Sequence, residues 1–420
     1  MRVRRILAGL RLSLWLALLA LILTQSTASA RDPLEQIRRF TRAAEFDFGS
    51  WTIDAGLRKL GAAGLRAASY LTESDRSAIV IEYARLVSRG EELERLLVET
   101  YANPALADPA AEAAPLRGEL AELRARQAEL QPLVEEAIEE QVAAVLAEIG
   151  LGGGGMPVPP VSFHFTRLPL ALIVSPREVI RQDANIQLEA DLDLDARVRL
   201  ERRVEGSLGV SALVVPVGGI GTYPTMVQES ESLSWVTEVV AHEWTHNYLT
   251  LRPLGLGYEA SPELRTMNET AASLVGSAVG RRVLERFYPD LVPPASTPGG
   301  SAGEAAAAEP AAFDFRVAMH ETRVRVDALL AEGRVAEAEG YMESRRQFFW
   351  ENGYPLRRLN QAYFAFYGAY ADVPGGAAGE DPVGAAVREL WSRSPSPADF
   401  LRRISWMNEF EDLRRALDEE

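Results

Sequence analysis

His242-Glu243-Trp244-Thr245-His246 is the stretch around which the rest of this 420-residue chain is arranged. The chain has only four histidines, and two of them stand four residues apart here. On a helix, residues four apart lie one above the other on the same face, so His242 and His246 can bind one metal ion together. Glu243 lies beside that face, where a carboxylate can act as a general base. The stretch therefore predicts a helix that carries a metal site.

The residues around the motif predict a buried helix rather than a chance match on a solvated one. Residues 232–251 are predicted to form it, and Val236 and Val240 give it apolar side chains on more than one side. Upstream, residues 170–174 and 210–215 are short apolar runs typical of buried strands. The pattern indicates that a small sheet packs against the motif helix.

A further strand is predicted over residues 222–227, which contain Pro224. Because proline cannot donate a ladder hydrogen bond, a strand that contains it is expected at the edge of a sheet. The free backbone groups of an edge strand just before the motif helix can pair with an extended peptide. An ordinary edge, closed by Pro224, is the alternative interpretation.

The third metal ligand is expected to be a carboxylate. A catalytic zinc ion normally takes three protein ligands and keeps one position for water. The chain has no cysteine, and its other two histidines, His164 and His320, are distant in sequence. Glu269 is the preferred candidate because small side chains share its predicted helix face and let a second helix approach closely. These small residues are Ala272, Ser273, Gly276 and Gly280.

Other carboxylates near the motif have simpler interpretations but stay open as ligands. Glu259 falls in a loop, and Glu263 is explained as a first-turn charge on a helix that begins at Ser261. Glu238 stands one turn before His242 on the same face. It is either a partner or alternative ligand at the site, or an ordinary salt-bridging residue. A solvent-facing charge remains the alternative for Glu269.

The two segments His-Glu-Trp-Thr-His at 242–246 and Asn-Glu-Thr-Ala-Ala at 268–272 resemble the gluzincin group of zinc metallopeptidases. The resemblance covers residues 240–273 and no more of the chain. It implies that His242, His246 and Glu269 bind one Zn²⁺ per chain and that Glu243 is the catalytic base. The implied activity is hydrolysis of a peptide or protein substrate.

The chain departs from this group in two places. Ser273 stands where thermolysin-like enzymes have an aspartate that supports a ligand histidine, so that support must be built differently. The G-x-M-E-N motif of exopeptidases is missing from the predicted strands. The aminopeptidase interpretation therefore lacks its usual support.

A second electrophile is expected to stabilise the developing oxyanion, and it is usually His, Tyr or Arg. His320 and Tyr363 are the named candidates, with Tyr367 and Tyr370 in the same aromatic stretch as Tyr363. The alternatives are a core role for the aromatic stripe and a surface or core role for His320. His164 alternates with two phenylalanines and is interpreted as a solvent-side strand residue.

The chain divides into segments of different composition. Residues 1–30 are predicted to be a signal peptide, with arginines before an apolar run and Ala28-Ser29-Ala30 as the cleavage site. Residues 31–149 are predicted to be helical, 150–160 to be a Gly/Pro linker and 161–290 to be the zincin-like core. Residues 291–311 are expected to form a flexible low-complexity loop, and residues 312–420 a second helical region.

Charge and composition limit the partners and the location. The net charge is −16, and such a surface repels nucleic acid and anionic lipid, so neither is expected as a partner. Export to the periplasm, the cell surface or the medium is expected, with membrane attachment only through an uncleaved N-terminal anchor. The sequence gives no indication of the oligomeric state.

The predicted fold class is α+β and predominantly helical. A small mixed sheet with an edge strand packs on the motif helix, and helical regions flank it on both sides. The predicted function is a zinc metallopeptidase. Two alternatives remain: a non-catalytic exported scaffold that binds a partner, and a zinc hydrolase of a non-peptide amide or ester. The intact Glu243 argues against the scaffold, because a degenerate site has no use for that carboxylate.

Overall fold

The computed structural model describes residues 33–65, 70–102, 108–292, 313–368 and 381–418. The predicted signal peptide, Tyr370 and most of the predicted loop at 291–311 lie outside these ranges. Within them, no helix combines the length and the apolar composition needed to cross a bilayer. The fold is α+β and predominantly helical, with a small mixed sheet and flanking helices, which confirms the predicted class.

Helices make up the region before the sheet. They are α1 (Pro33–Thr41), α2 (Phe48–Leu65), α3 (Glu73–Ala102), α4 (Pro109–Glu112) and α5 (Ala114–Glu148). α3 packs along α5, and both contribute to the core that surrounds the motif helix. These two helices therefore share a hydrophobic core with the motif helix.

Residues 150–160, predicted to be a linker, form a short antiparallel hairpin of β1 (Gly152–Gly153) and β2 (Met156–Pro157). Gly154 and Gly155 adopt φ values of +64° and +90°, which the tight turn requires and which glycine alone adopts readily. The carbonyl of Pro159 accepts a hydrogen bond of 2.8 Å from Trp244 Nε1. The glycines and prolines thus build a turn that is tied to the motif helix.

Six strands form two separate three-stranded sheets. They are β3 (Phe163–Phe165), β4 (Leu170–Ser175), β5 (Ala184–Leu188), β6 (Ser211–Pro216), β7 (Gly219–Ile220) and β8 (Thr225–Val227), with α6 (Leu194–Leu208) between β5 and β6. One sheet has the order β5-β4-β6 and is antiparallel. The other has the order β3-β8-β7 and is mixed, because β3 runs parallel to β8 and β7 antiparallel to it.

The edge strand of the mixed sheet is not the one that the sequence indicated. Pro224 precedes β8 rather than lying within it, and Thr225–Val227 occupies the centre of the sheet. The edge near the motif helix is β7, a segment of only two residues that contains Gly219. Short length and glycine leave such a strand almost without a periodic signal in the sequence.

The motif lies on α7 (Leu233–Leu249), followed by the short α8 (Pro253–Leu256) and by α9 (Pro262–Phe287). The Ser232 side chain caps α7 by accepting a hydrogen bond from Trp235 N, and Ser261 caps α9 in the same way at Leu264 N. Six helices follow: α10 (Phe315–Ala331), α11 (Val335–Glu351), α12 (Gln361–Tyr367), α13 (Pro382–Arg393), α14 (Pro397–Ile404) and α15 (Phe410–Asp418). α13 and α14 complete the core around α7 and α9, whereas α10 and α11 form a second core.

A buried cluster of charged residues, which we call the Lys59 cluster, joins α2, α5 and β3. Lys59 lies 2.7 Å from both Glu135 and Glu139. These glutamates also accept hydrogen bonds from the backbone N–H groups at the free edge of β3, Glu139 from Phe163 and Glu135 from Phe165. His164 lies 2.9 Å from Glu135 and belongs to this cluster, so its interpretation as a solvent-side strand residue is wrong.

Candidate metal centre

The close approach of α7 and α9 brings the predicted ligands together. A Cβ atom added at Gly276 would lie 2.9 Å from the Glu238 carbonyl oxygen and 3.0 Å from His242 Cβ. One added at Gly280 would lie 2.9 Å from the backbone of Glu238. Only glycine fits at these two positions. The small residues on the Glu269 face of α9, which we call the small-residue stripe, therefore let α7 approach closely, as predicted. The stripe sets the two helix axes close enough for Glu269 to reach both histidines.

His242, His246 and Glu269 form a group with the geometry of a metal site, which we call the metal cluster. The two Nε2 atoms are 3.1 Å apart, and Glu269 Oε2 lies 3.5 Å from His242 Nε2 and 3.6 Å from His246 Nε2. Ligand atoms at about 2.0–2.1 Å from a tetrahedral zinc ion lie roughly 3.3 Å from one another, so the three distances fit one ion.

Glu269 Oε2 has no hydrogen-bond partner among the described residues, although it is buried. The residue as a whole is only 5% exposed. A buried carboxylate oxygen left without a donor is costly, and a cation between the two imidazoles would satisfy it. Two imidazoles and one carboxylate are a donor set that suits zinc. The residues present therefore fit the metal that the motif predicts.

Neighbouring polar groups hold two of the three predicted ligands, His246 and Glu269, in their orientation. Asn268 Oδ1 accepts a hydrogen bond of 2.8 Å from His246 Nδ1, while its Nδ2 donates to the Leu254 carbonyl. This arrangement leaves His246 Nε2 with a lone pair for a metal. The Tyr258 hydroxyl bonds Glu269 Oε1, which leaves Oε2 for the metal. With Ser273 in place of an aspartate, the sequence assigned this support to no residue; Asn268 and Tyr258 provide it for His246 and Glu269.

Ser273 contributes only weakly, since its hydroxyl lies 3.5 Å from His242 Nδ1. The sequence analysis missed Tyr258 altogether, because nothing in a loop of glycine and leucine indicates where a tyrosine side chain will point. Asn268 carried a signal, since it directly precedes Glu269, but its contact with His246 depends on how the two helices cross.

Burial and mutual charge shift the pKa values of the cluster. Burial opposes ionisation of Glu269, but the two histidines beside it hold the pKa of its carboxyl well below its usual range. Burial also disfavours a charged His246, yet the Glu269 carboxylate raises the pKa of that imidazole to about 9. Since ligand imidazoles must be neutral, a bound metal would displace the proton that His246 holds in its absence.

Glu243 lies between the metal cluster and the edge strand β7. The residue is 7% exposed, and burial raises the pKa of its carboxyl. A Cβ atom added at Gly219 would lie 2.6 Å from Glu243 Oε1, so the carboxylate packs directly against the strand backbone. At Gly221 an added Cβ would lie 3.4 Å from Glu243 Oε2 and 3.2 Å from His246 Cβ. The backbone of Gly219 in β7 and of Gly221 just after it therefore runs past Glu243 and His246.

The cluster opens into a cavity of about 1110 Å³. The cavity lies between helices α7 and α9 on one side and the antiparallel sheet on the other, and it is lined by the three predicted ligands, Glu243 and residues 216–221. Phe46 and Phe48 at the start of α2, Ile186 of β5 and Tyr367 of α12 line its other sides. A chain lying along β7 would thus meet the cluster within an open, partly apolar cleft.

Two predicted catalytic residues do not line this cavity. His320 lies on α10, away from the cluster. The Tyr363 ring packs on the core between α12 and the β4 and β6 strands, with its centroid 4.5 Å from that of Tyr367. The aromatic stripe is therefore mainly core, as its alternative interpretation held, and Tyr367 alone of the described tyrosines in it reaches the cavity.

None of the three alternative carboxylates belongs to the cluster. Glu238 accepts a hydrogen bond of 2.6 Å from the Ser277 hydroxyl, and Glu259 pairs with Arg265. Glu263 is exposed in the first turn of α9. Among the described residues, the one group of three or more potential ligands close enough to hold a metal is His242, His246 and Glu269.

No model of a known protein family, no curated protein and no solved structure matches this chain.

Proposed function

We propose that this protein is an exported zinc-dependent metallopeptidase of gluzincin type. The observation that carries the proposal is the buried Glu269 Oε2, which lacks a donor and lies at metal-ligand spacing from both histidines. The Glu243 carboxylate beside this cluster and the cavity in front of it supply the remaining parts of a hydrolase. The signal-peptide pattern of residues 1–30 supports export.

The residues of the chain have distinct roles in the proposed reaction. A bound zinc ion would lower the pKa of a water molecule to about 7 and polarise the scissile carbonyl. Glu243 accepts the proton of the attacking water and returns it to the leaving amine. Asn268 and Tyr258 keep His246 and Glu269 oriented, so that neither Nε2 nor Oε2 turns away during the reaction.

A peptide is the substrate that the cavity suits best. β7 pairs with β8 on one side, and no described strand pairs with its other side. An extended peptide can add to that free edge through main-chain hydrogen bonds, which would place a peptide bond beside Glu243. A small amide or ester has no use for such an edge, and the strand therefore favours a peptidase over a hydrolase of non-peptide substrates.

The test compares two glutamates that line the same cavity. Glu243→Gln removes the proposed base, and Glu238→Gln removes a carboxylate that bonds Ser277 and plays no part in the proposed reaction. Both variants and the parent protein are loaded with zinc and assayed on a library of quenched fluorescent peptides. We expect Glu243→Gln to keep its zinc and to lose turnover by about 10²–10⁴-fold. Glu238→Gln is expected to stay within a few-fold of the parent.

Each of the other outcomes contradicts the proposal in a different way. Equal turnover by Glu243→Gln and the parent would show that another group is the base. Hydrolysis of amide or ester probes without cleavage of any peptide would favour the non-peptide hydrolase. Zinc binding without turnover of any probe would favour the exported scaffold.

A further inference from the structure

Arg265 is a feature of the cavity that the proposed reaction does not use. It lies on α9, one turn before Glu269, and it lines the cavity although the residue is only 7% exposed. Arg38, the other arginine among the described residues that line the cavity, has a side chain that is 43% exposed. A buried guanidinium at a cavity wall needs an anionic partner, because an uncompensated buried charge is costly.

Its partner in this structure is a side chain that lies mostly in water. Arg265 Nη2 donates to Glu259 Oε2 at 2.5 Å, and the Glu259 side chain is 69% exposed. Arg265 Nε is buried and has no hydrogen-bond partner among the described residues. Glu259 therefore uses one N–H of a guanidinium edge that offers two. An exposed carboxylate can return to water at little cost, so this pair is easily replaced.

The position of Arg265 fixes which part of a substrate it can reach. One helical turn separates it from Glu269, a rise of about 6 Å over four residues. Its guanidinium carbon lies 5.6 Å from the centre of the Tyr258 ring, whose hydroxyl bonds Glu269. An extended chain rises about 3.3 Å per residue, so two residues of a substrate cover about the same length as this helical rise.

We propose that Arg265 binds a carboxylate of the substrate within about two residues of the scissile bond, and that Glu259 holds this place until the substrate arrives. This proposal rests on the proposed function and names the substrate class of the same site. An incoming carboxylate accepts from both Nε and Nη2 in the bidentate geometry that suits guanidinium, which Glu259 does not achieve. The carboxylate is either the free C-terminus of the peptide or an Asp or Glu side chain.

The experiment uses matched peptides that differ only in charge. One pair ends in a free carboxylate or in an amide two residues after the cleaved bond, and the other pair has an internal Asp or Asn at the same place. Their kcat/KM values are compared in the zinc-loaded parent protein. We expect the acid to exceed its neutral partner by about tenfold in one of the two pairs, which identifies the source of the carboxylate.

Three variants assign that preference to a residue. Arg265→Gln is expected to bring the ratio of acid to neutral peptide close to one. Glu259→Gln is expected to increase the ratio through a lower KM for the acid, because the internal competitor is gone. Arg281→Gln, an exposed arginine on the same helix that pairs with Glu285, is the control and is expected to keep the parent ratio. Since Glu259 is exposed, its variant stays informative even if Arg265→Gln fails to fold.

A binding measurement separates this proposal from the proposed function. Calorimetry with the same peptide pairs on zinc-loaded Glu243→Gln gives their affinities without turnover. Tighter binding of one acid by about tenfold supports the role of Arg265, even if the parent cleaves no peptide and the proposed function fails. Equal affinity and equal kcat/KM within both pairs, or a preference that survives Arg265→Gln, would overturn it.

Discussion

Two buried clusters of histidine and carboxylate in this protein differ in whether their atoms have partners. In the Lys59 cluster, Glu135 accepts from Phe165 N, lies 2.7 Å from Lys59 Nζ and contacts His164 Nδ1 at 2.9 Å. In the metal cluster, Glu269 Oε2 is buried with no hydrogen-bond partner among the described residues. Similar side chains thus form one set whose atoms all find partners and one set with a buried carboxylate oxygen that has no hydrogen-bond donor.

The difference separates a structural role from a ligand-binding one. In the Lys59 cluster, the ammonium group is the cation, and the glutamates also close the free edge of β3. Among the described residues, no lysine or arginine forms an ion pair with Glu269, whose charged neighbours are the imidazoles of His242 and His246. A bound zinc ion would do there what Lys59 does in the other cluster.

Removal of one charge from each cluster gives the largest expected effect on stability. Lys59→Met leaves two buried glutamates without their cation and is expected to lower the free energy of unfolding by roughly 3–5 kcal/mol. Glu269→Gln without metal is expected to lower it by less than Lys59→Met does, because His246 can release its proton when the carboxylate is gone, so that no unpaired charge stays buried. Urea denaturation of the two metal-free variants measures both losses in the free energy of unfolding. Equal losses would contradict the distinction between the two clusters.

The glycine stripe tests whether the metal cluster depends on helix spacing. Gly276→Ala places a methyl group 2.9 Å from the Glu238 carbonyl oxygen, and we expect a loss of roughly 1–3 kcal/mol together with weaker zinc binding. Gly206→Ala in α6 is the control, since nothing lies within 4 Å of its added Cβ. That control should gain up to about 1 kcal/mol from helix propensity. Unchanged zinc affinity in Gly276→Ala would show that α7 and α9 can separate without harm to the site.

Asn268→Ala tests the support of one ligand without a change of ligand. Loss of the hydrogen bond to His246 Nδ1 frees the imidazole to rotate, and zinc affinity is expected to fall by about 10–100-fold. Competition with a fluorescent chelator measures it. Asn360→Ala, at the N-cap of α12, is the control, because its effect should be on stability alone. An unchanged zinc affinity in Asn268→Ala would remove Asn268 from the site.

Acid pH should reduce the difference in the free energy of unfolding between the parent protein and Lys59→Met. Burial opposes ionisation of Glu135, but His164 and Lys59 together hold the pKa of its carboxyl below the ordinary value of 4.5. A lowered folded-state pKa contributes stability above pH 4.5, and this contribution is lost as the pH falls through the folded-state pKa. The stability difference between the two proteins should therefore shrink below pH 4.5. A constant difference down to pH 3 would contradict the role of Glu135.

The sequence predicted the features that depend on local spacing. The motif spacing placed two imidazoles on one helix face, and the stripe that includes Gly276 and Gly280 identified the helix that brings Glu269 to them. What depended on tertiary geometry was not predictable. Tyr258 reaches Glu269 from a loop, and His164 joins the Lys59 cluster only because α5 covers the edge of β3. Tyr363 has the residue type of an electrophile, but its ring packs into the core.

The most direct test of the metal centre is the zinc content of the purified protein and of Glu269→Ala, measured by elemental mass spectrometry after reconstitution. We predict one zinc per chain in the parent and in Lys59→Met, and a loss of bound zinc in Glu269→Ala. Zinc retained at one per chain by Glu269→Ala, or no zinc in the parent, would contradict the account.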